Sequence, residues 1–132
     1  MDTSDDYDEE KRRLDASVLL KEYIDEFFDN EKVILTGDLD DILTDTPQTN
    51  VFNSYIQDPE KYRFVDMDIA EGNESNWSYP SWPSHLDHIM ITNEIFDDFE
   101  NDGSEIKCIE LDDYFDGGFY EYDDDVSDHR PV

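Results

Sequence analysis

The apolar residues change their period once, early in the chain. They recur as Leu14, Val18, Leu20, Tyr23, Ile24, Phe27 and Phe28, the spacing of a helix with one buried face. Asp29 and Asn30 end that pattern, and "KVILTG" follows at residues 32–37 as a short continuous apolar run. Such a run suits a strand buried on both faces, and a helix feeding it predicts an α/β (α+β) layered domain. At 132 residues the chain is long enough for one compact domain and not for two.

The remaining chain continues the alternation. "GDLDDILTDTPQTN" reads as a long acidic loop, and "VFNSYIQ" as a short helix capped by Asn50. "YRFVDMDIA" reads as a strand, "EGNES" as a turn, and "NWSYPSWPS" as an aromatic segment punctuated by proline. "HLDHIMIT" is a strand by its branched content, "NEIFDDF" one or two helical turns, and "EIKCIEL" an alternating strand. "DDYFDGGFYEYDDDV" is a Gly- and Asp-rich loop, and "SDHRPV" the opening of a further strand. Residues 1–8 form an acidic lead expected to be flexible, and residues 9–132 the domain portion.

The charge balance bounds the partners. There are 38 acidic and 9 basic residues, a net charge of −29. Aromatic residues make up 14% of the chain, too many for an acidic disordered tail. Such a surface repels nucleic acid and anionic membranes, so binding through a basic patch is excluded. Catalysis on a phosphoester is not excluded, because a bound divalent cation inverts the local field. Dense Asp also suits a salty or calcium-rich extracellular medium. No apolar run is long enough to span a membrane. Cys108 is the sole cysteine, so there is no disulfide within the chain and no cysteine-based metal site. It is expected as a buried strand thiol.

Three acidic signals fall at strand ends. They are Asp38 and Asp40 in "GDLD", Asp87 in "SHLDHI", and Asp128 with His129 in "SDHRPV". Strand ends on one rim are where layered α/β proteins place their chemistry. Carboxylates with one histidine suit Mg²⁺, with Ca²⁺ or Mn²⁺ as alternatives, together with transfer of a proton.

This ordered trio resembles the endonuclease/exonuclease/phosphatase superfamily, with its DNase I-like fold. Its later motifs are a strand ending in Gly-Asp-x-Asn, a strand carrying Asp in a pattern like "LDHI", and a closing Ser-Asp-His. The resemblance covers nearly all of the chain after the acidic lead. It implies the C-terminal half of a four-layer α/β sandwich, a mixed sheet with flanking helices. The partner would be an N-terminal half of the same domain, carrying a metal-binding Glu, an Asn and another His. It also implies metal-dependent hydrolysis of a phosphoester, nucleic acid or a small phosphodiester, with the 132 residues inactive or nearly so by themselves. In the implied roles, Asp38 orients or deprotonates the attacking water and touches the metal. Asp128 lies at the metal or its water shell. His129 contacts the scissile phosphate, and Asp87 holds His129 protonated.

Asp40 departs from the resemblance, since Asn usually stands there and offers a donor to phosphate. It is either an additional cation ligand or a sign that the role has moved to Asp41 and its neighbours. Alternation puts His85 on the face of Asp87 and His88 on the opposite one. His85 and Trp77 are therefore candidate substrate contacts. Trp77, Tyr79 and Trp82 either form a substrate platform or close the core. Asp123, Asp124 and Asp125 read as a solvated loop. A different class also fits the composition: a non-enzymatic acidic module that binds cations or mimics nucleic-acid charge.

Overall fold

The computed structural model describes residues 3–132, with side chains from residue 8 onward. Helix α1 spans Thr3–Phe27, so residues 3–8 of the expected flexible lead are its first turns, and residues 1 and 2 lie outside the described residues. Strand β1 is Ile34–Asp38, helix α2 Asn53–Ile56, strand β2 Tyr62–Phe64, and helix α3 Met67–Ala70. Strand β3 is Asp87–Thr92, helix α4 Phe96–Glu100, and helix α5 Phe119–Asp125.

The class is mixed α/β, as the alternating patterns predict. The sheet is not mixed in direction, however. It has three strands in the order β1-β3-β2, and both pairings are antiparallel. Leu35 pairs with Met90 and Gly37 with His88, and these residues face the core. Ile34, Thr36 and Asp38 pair with Ile91, Ile89 and Asp87, and alternation turns this second set to the opposite face. The core is built on the first face from Met90, Tyr62, Phe64, Phe52, Tyr55 and Val51. Tyr55 meets Tyr62 edge to face, with ring centroids 5.0 Å apart.

Two burial expectations fail. Helix α1 has 25 residues, so it extends about 37 Å, whereas a five-residue strand spans about 17 Å. Most of the helix's apolar side chains lie on faces turned away from the core. Ile24 is buried, but Leu14, Leu19, Leu20, Tyr23, Phe27 and Phe28 are between 36% and 64% exposed. The helix is instead fastened by polar contacts. Tyr55 Oη donates to the Ser17 carbonyl at 2.9 Å, and Tyr62 Oη to Asp25 Oδ1 at 2.6 Å. Burial pushes the Asp25 carboxyl up, but hydrogen bonds from Tyr62, Lys21 and Lys61 outweigh it and hold the group down at about 2. Strand β1, expected to be buried on both faces, lies at the sheet edge with Leu35 its one half-buried residue.

The stretch "YRFVDMDIA" is a strand only as far as Phe64. Val65 N–H still donates to the Ile89 carbonyl. At the next position a side chain replaces the backbone, because Asp66 Oδ1 accepts the Ile89 N–H at 2.9 Å. The chain then turns into α3. Asn50 is not the cap of α2, whose first residue is Asn53 and which has no side-chain cap. Its Oδ1 accepts the Phe52 N–H at 2.8 Å in the turn before the helix, and its Nδ2 donates to the Leu43 carbonyl.

The C-terminal expectations change most. In "EIKCIEL" burial alternates residue by residue, yet no strand forms. Its Ile109 N–H donates to the Pro131 carbonyl, a single bond where a ladder was expected. Residues 112–126, expected as a loop, contain most of a 3₁₀ turn at Leu111–Tyr114 and the helix α5. Asp123, Asp124 and Asp125 are exposed on α5. "SDHRPV" is a turn followed by extended chain. Ser127 Oγ accepts the His129 N–H at 3.0 Å and closes that turn. Pro131 has no N–H to extend a ladder. Cys108 is half-buried, and burial raises its thiol to about 11, so it is an inert side chain.

Candidate functional site

Asp38 and Asp87 end β1 and begin β3 directly opposite one another. Both turn to the face away from the core. Gly37, just before Asp38, has φ of 148°, a conformation that favours glycine. Asp38 Oδ1 then accepts the Asp40 N–H at 3.0 Å, an Asx turn that leaves Oδ2 for other partners.

His129 completes the group. Its Nδ1 lies 2.6 Å from Asp87 Oδ2, and its Nε2 lies 4.0 Å from Asp38 Oδ2. The Tyr79 ring covers the imidazole at a centroid distance of 4.8 Å. Burial works against a charged imidazole here. The Asp87 hydrogen bond and the charges of Asp87, Asp38 and Asp128 outweigh it and raise the pKa above the ordinary 6.5. His129 is therefore well disposed to carry a proton at neutral pH, with Nε2 as the donor facing Asp38.

The His129 segment is locked from both sides. Arg130 makes a two-pronged pair with Asp112, at 2.8 Å from Nε and 2.6 Å from Nη2, and Nη1 donates to the Ser75 carbonyl. Its backbone N–H donates to the Ser78 carbonyl at 2.7 Å. Tyr122 Oη donates to the His129 carbonyl at 2.8 Å. Ser78, fully buried, accepts the N–H groups of Leu86 and Asp87 through Oγ. The same residue thus holds the Asp87 and His129 segments together.

Other expected site residues lie elsewhere. Asp40 adopts φ of 52°, and its exposed carboxylate pairs with Arg13 at 3.4 Å, so the Asx turn carries it away from the group. Asp128 is exposed and does not join the group, although its charge reaches His129. His85 is buried, not a substrate contact: it lies ahead of β3, where strand alternation does not extend, and it faces Asp66. Trp77 is half-buried, with its indole N–H on the Ile69 carbonyl, and Trp82 is 79% exposed. Of the three aromatics, Tyr79 is the one that touches the group. Ser78, Asp112 and Arg130 were not apparent in sequence, and the acidic partner of Arg130 is 18 residues away.

Two sets of side chains among the described residues could hold a metal ion: Asp38 with Asp87 and His129, and Asp66 with His85 and His88. In the first set Asp87 Oδ2 is engaged by His129 Nδ1 at 2.6 Å, and His129 Nε2 faces Asp38 Oδ2 at 4.0 Å. Asp38 Oδ2 is an oxygen on an exposed carboxylate. No protein-family model matches the chain, and neither a curated protein nor a solved structure does.

Proposed function

We propose that Asp38, Asp87 and His129 form part of the catalytic rim of a metal-dependent phosphoester hydrolase of the nuclease or phosphodiesterase type. The observation that supports this reading is their convergence from three distant parts of the chain, with a carboxylate on each side of one imidazole. The resemblance to the endonuclease/exonuclease/phosphatase superfamily, and the DNase I-like sandwich it implies, belong to the same proposal.

The roles are those that the resemblance implies, and the geometry is compatible with them. Asp87 orients the imidazole and favours its cation. His129 Nε2–H donates to a phosphoryl oxygen as charge develops there. In this reading Asp38 orients the attacking water and accepts its proton. A divalent cation held at Asp38 would supply charge neutralisation for the phosphate. The substrate is a phosphoester whose approach to this acidic surface depends on such a cation.

The test is hydrolysis of bis-p-nitrophenyl phosphate with Mg²⁺ by the protein as encoded. His129→Ala is expected to lower kcat by roughly 10²–10⁴-fold. Equal rates with and without His129 would remove the mechanism. Cation binding with no turnover would return the chain to the class of acidic cation-binding or charge-mimic modules.

A further inference from the structure

We infer that the buried Asp66–His85–His88 group is a proton site rather than a metal site, with His88 an imidazolium on an ionised Asp66. We infer further that this one carboxylate positions both arms of the Asp38–Asp87–His129 rim. The inference goes beyond phosphoester hydrolysis, because it concerns protons and placement and stands or falls without turnover.

The protonation follows from which atoms face which. His88 Nδ1 lies 2.6 Å from Asp66 Oδ2, and His88 Nε2 lies 2.8 Å from the Asp41 carbonyl oxygen. Both partners are acceptors, so the ring satisfies them by carrying a proton on each nitrogen. Asp66 Oδ1 accepts the Ile89 N–H, and Oδ2 also faces His85 Nε2 at 3.1 Å. Burial would push the Asp66 carboxyl up, but the two histidines and the Ile89 N–H hold it down at about 2. His85 differs from His88. Its Nδ1 faces the Ser78 N–H, a donor, at 3.4 Å, so Nδ1 is bare and the proton sits on Nε2. A metal-ligating histidine normally donates through its other nitrogen. His85 has an acceptor position there instead, and its Nε2 is already protonated toward Asp66. The group is therefore one anion, one cation and one neutral ring, with no net charge.

Neutrality matters because all three side chains are at most 2% exposed. A lone buried carboxylate would be strongly disfavoured, and pairing removes that penalty. The Phe52 and Phe64 rings meet His88 edge-on and exclude water. No other titratable side chain faces His88 among the described contacts; the Asp41 carboxylate is turned to Arg13 at 3.1 Å.

The positioning follows by tracing two arms outward. Through His88, Asp66 holds the Asp41 carbonyl and hence the loop that follows Asp38. Through His85, it holds the Ser78 backbone. Ser78 in turn accepts the N–H groups of Leu86, Asp87 and Arg130. Asp66 touches neither rim carboxylate nor His129, so it is a positioning residue.

Imidazole nitrogen NMR on the labelled chain tests the protons without any variant. Both nitrogens of His88 are expected to be protonated, and Nε2 alone of His85. Added Zn²⁺ is expected to leave these signals in place. A bare nitrogen on His88, or Zn²⁺ shifting both histidines, would overturn the proton site. For positioning, Asp66→Asn is expected to remove the Nδ1 proton of His88 and keep its Nε2–H. It should also speed exchange of the His129 Nδ1–H with water by about tenfold, the scale of one lost hydrogen bond. His85→Gln preserves a donor toward Asp66 and loses the acceptor for Ser78, so it should loosen the His129 arm alone. Folded variants that leave the His129 Nδ1–H as protected as in the unaltered chain would overturn the positioning role.

Discussion

Asp87 Oδ2 stands 2.6 Å from Nδ1 of His129, across 42 residues of sequence. The pair joins the start of the central strand to a turn near the last residues. It makes the protonation of one imidazole a property of the folded chain.

That coupling gives stability a pH dependence. The folded pKa of His129 is raised above 6.5, burial being outweighed by the Asp87 bond and neighbouring charge. The contribution is full below the unfolded value and is lost as pH rises through the folded one. Urea unfolding at a series of pH values should show stability declining from about 6.5 upward. Asp87→Asn should flatten that limb.

Asp66 acts at the acid end with the opposite sign. Its folded pKa of about 2 lies below the ordinary 3.8. The difference corresponds to about 2 kcal/mol of stability, present above the unfolded value and lost as pH falls from there through the folded one. Acid titration followed by circular dichroism should show this loss, and Asp66→Asn should remove it.

Helix α1 offers a contrast within one element. Ile24 is 3% exposed and Leu19 is 64% exposed. Ile24→Ala should cost about 3 kcal/mol and Leu19→Ala less than about 0.5 kcal/mol by urea unfolding. Equal costs would mean that the face of α1 against the core has been misplaced.

The Arg130–Asp112 pair is 11% and 7% exposed at its side chains. Arg130→Met leaves a carboxylate buried and unpaired, with an expected loss of about 3 kcal/mol. Arg130→Lys keeps the charge but loses the two-pronged geometry, and should recover part of that loss. The Asp112→Asn/Arg130→Met double variant should be more stable than Arg130→Met alone.

Cation binding is separable from turnover. Mn²⁺ should broaden NMR signals most strongly at Asp38, and EDTA should restore them. Asp38→Asn should weaken that broadening. Unchanged broadening would exclude Asp38 as a ligand.

Asp38 and Asp87 were legible because each stands at the end of a strand, whereas His129 was read into a further strand that is a turn and extended chain. Asp66 was not legible. Its carboxylate replaces a carbonyl in the ladder, and such a substitution leaves no mark on hydrophobic period. His85 was misplaced for a related reason: alternation assigns faces only within a strand, and β3 begins at Asp87. The period of α1 predicted the helix but not its buried face: of the apolar residues assigned to that face only Ile24 is buried, beside the polar Ser17. In "EIKCIEL" the alternation of burial is real, yet a strand also needs neighbours, and only Ile109 finds one.

The exposed apolar residues of α1 and the uncovered edge of β1 have a colloidal consequence. Leu19, Tyr23, Phe27 and Ile34 lie open on a molecule of formal charge −29. Between two such molecules, long-range repulsion opposes the adhesion that these residues would otherwise permit. The range of that repulsion is about 10 Å at 0.1 M salt and about 3 Å at 1 M. Dispersion of the protein is thus governed by ionic strength: dilute buffer keeps its copies apart, and brine brings their oily surfaces within reach.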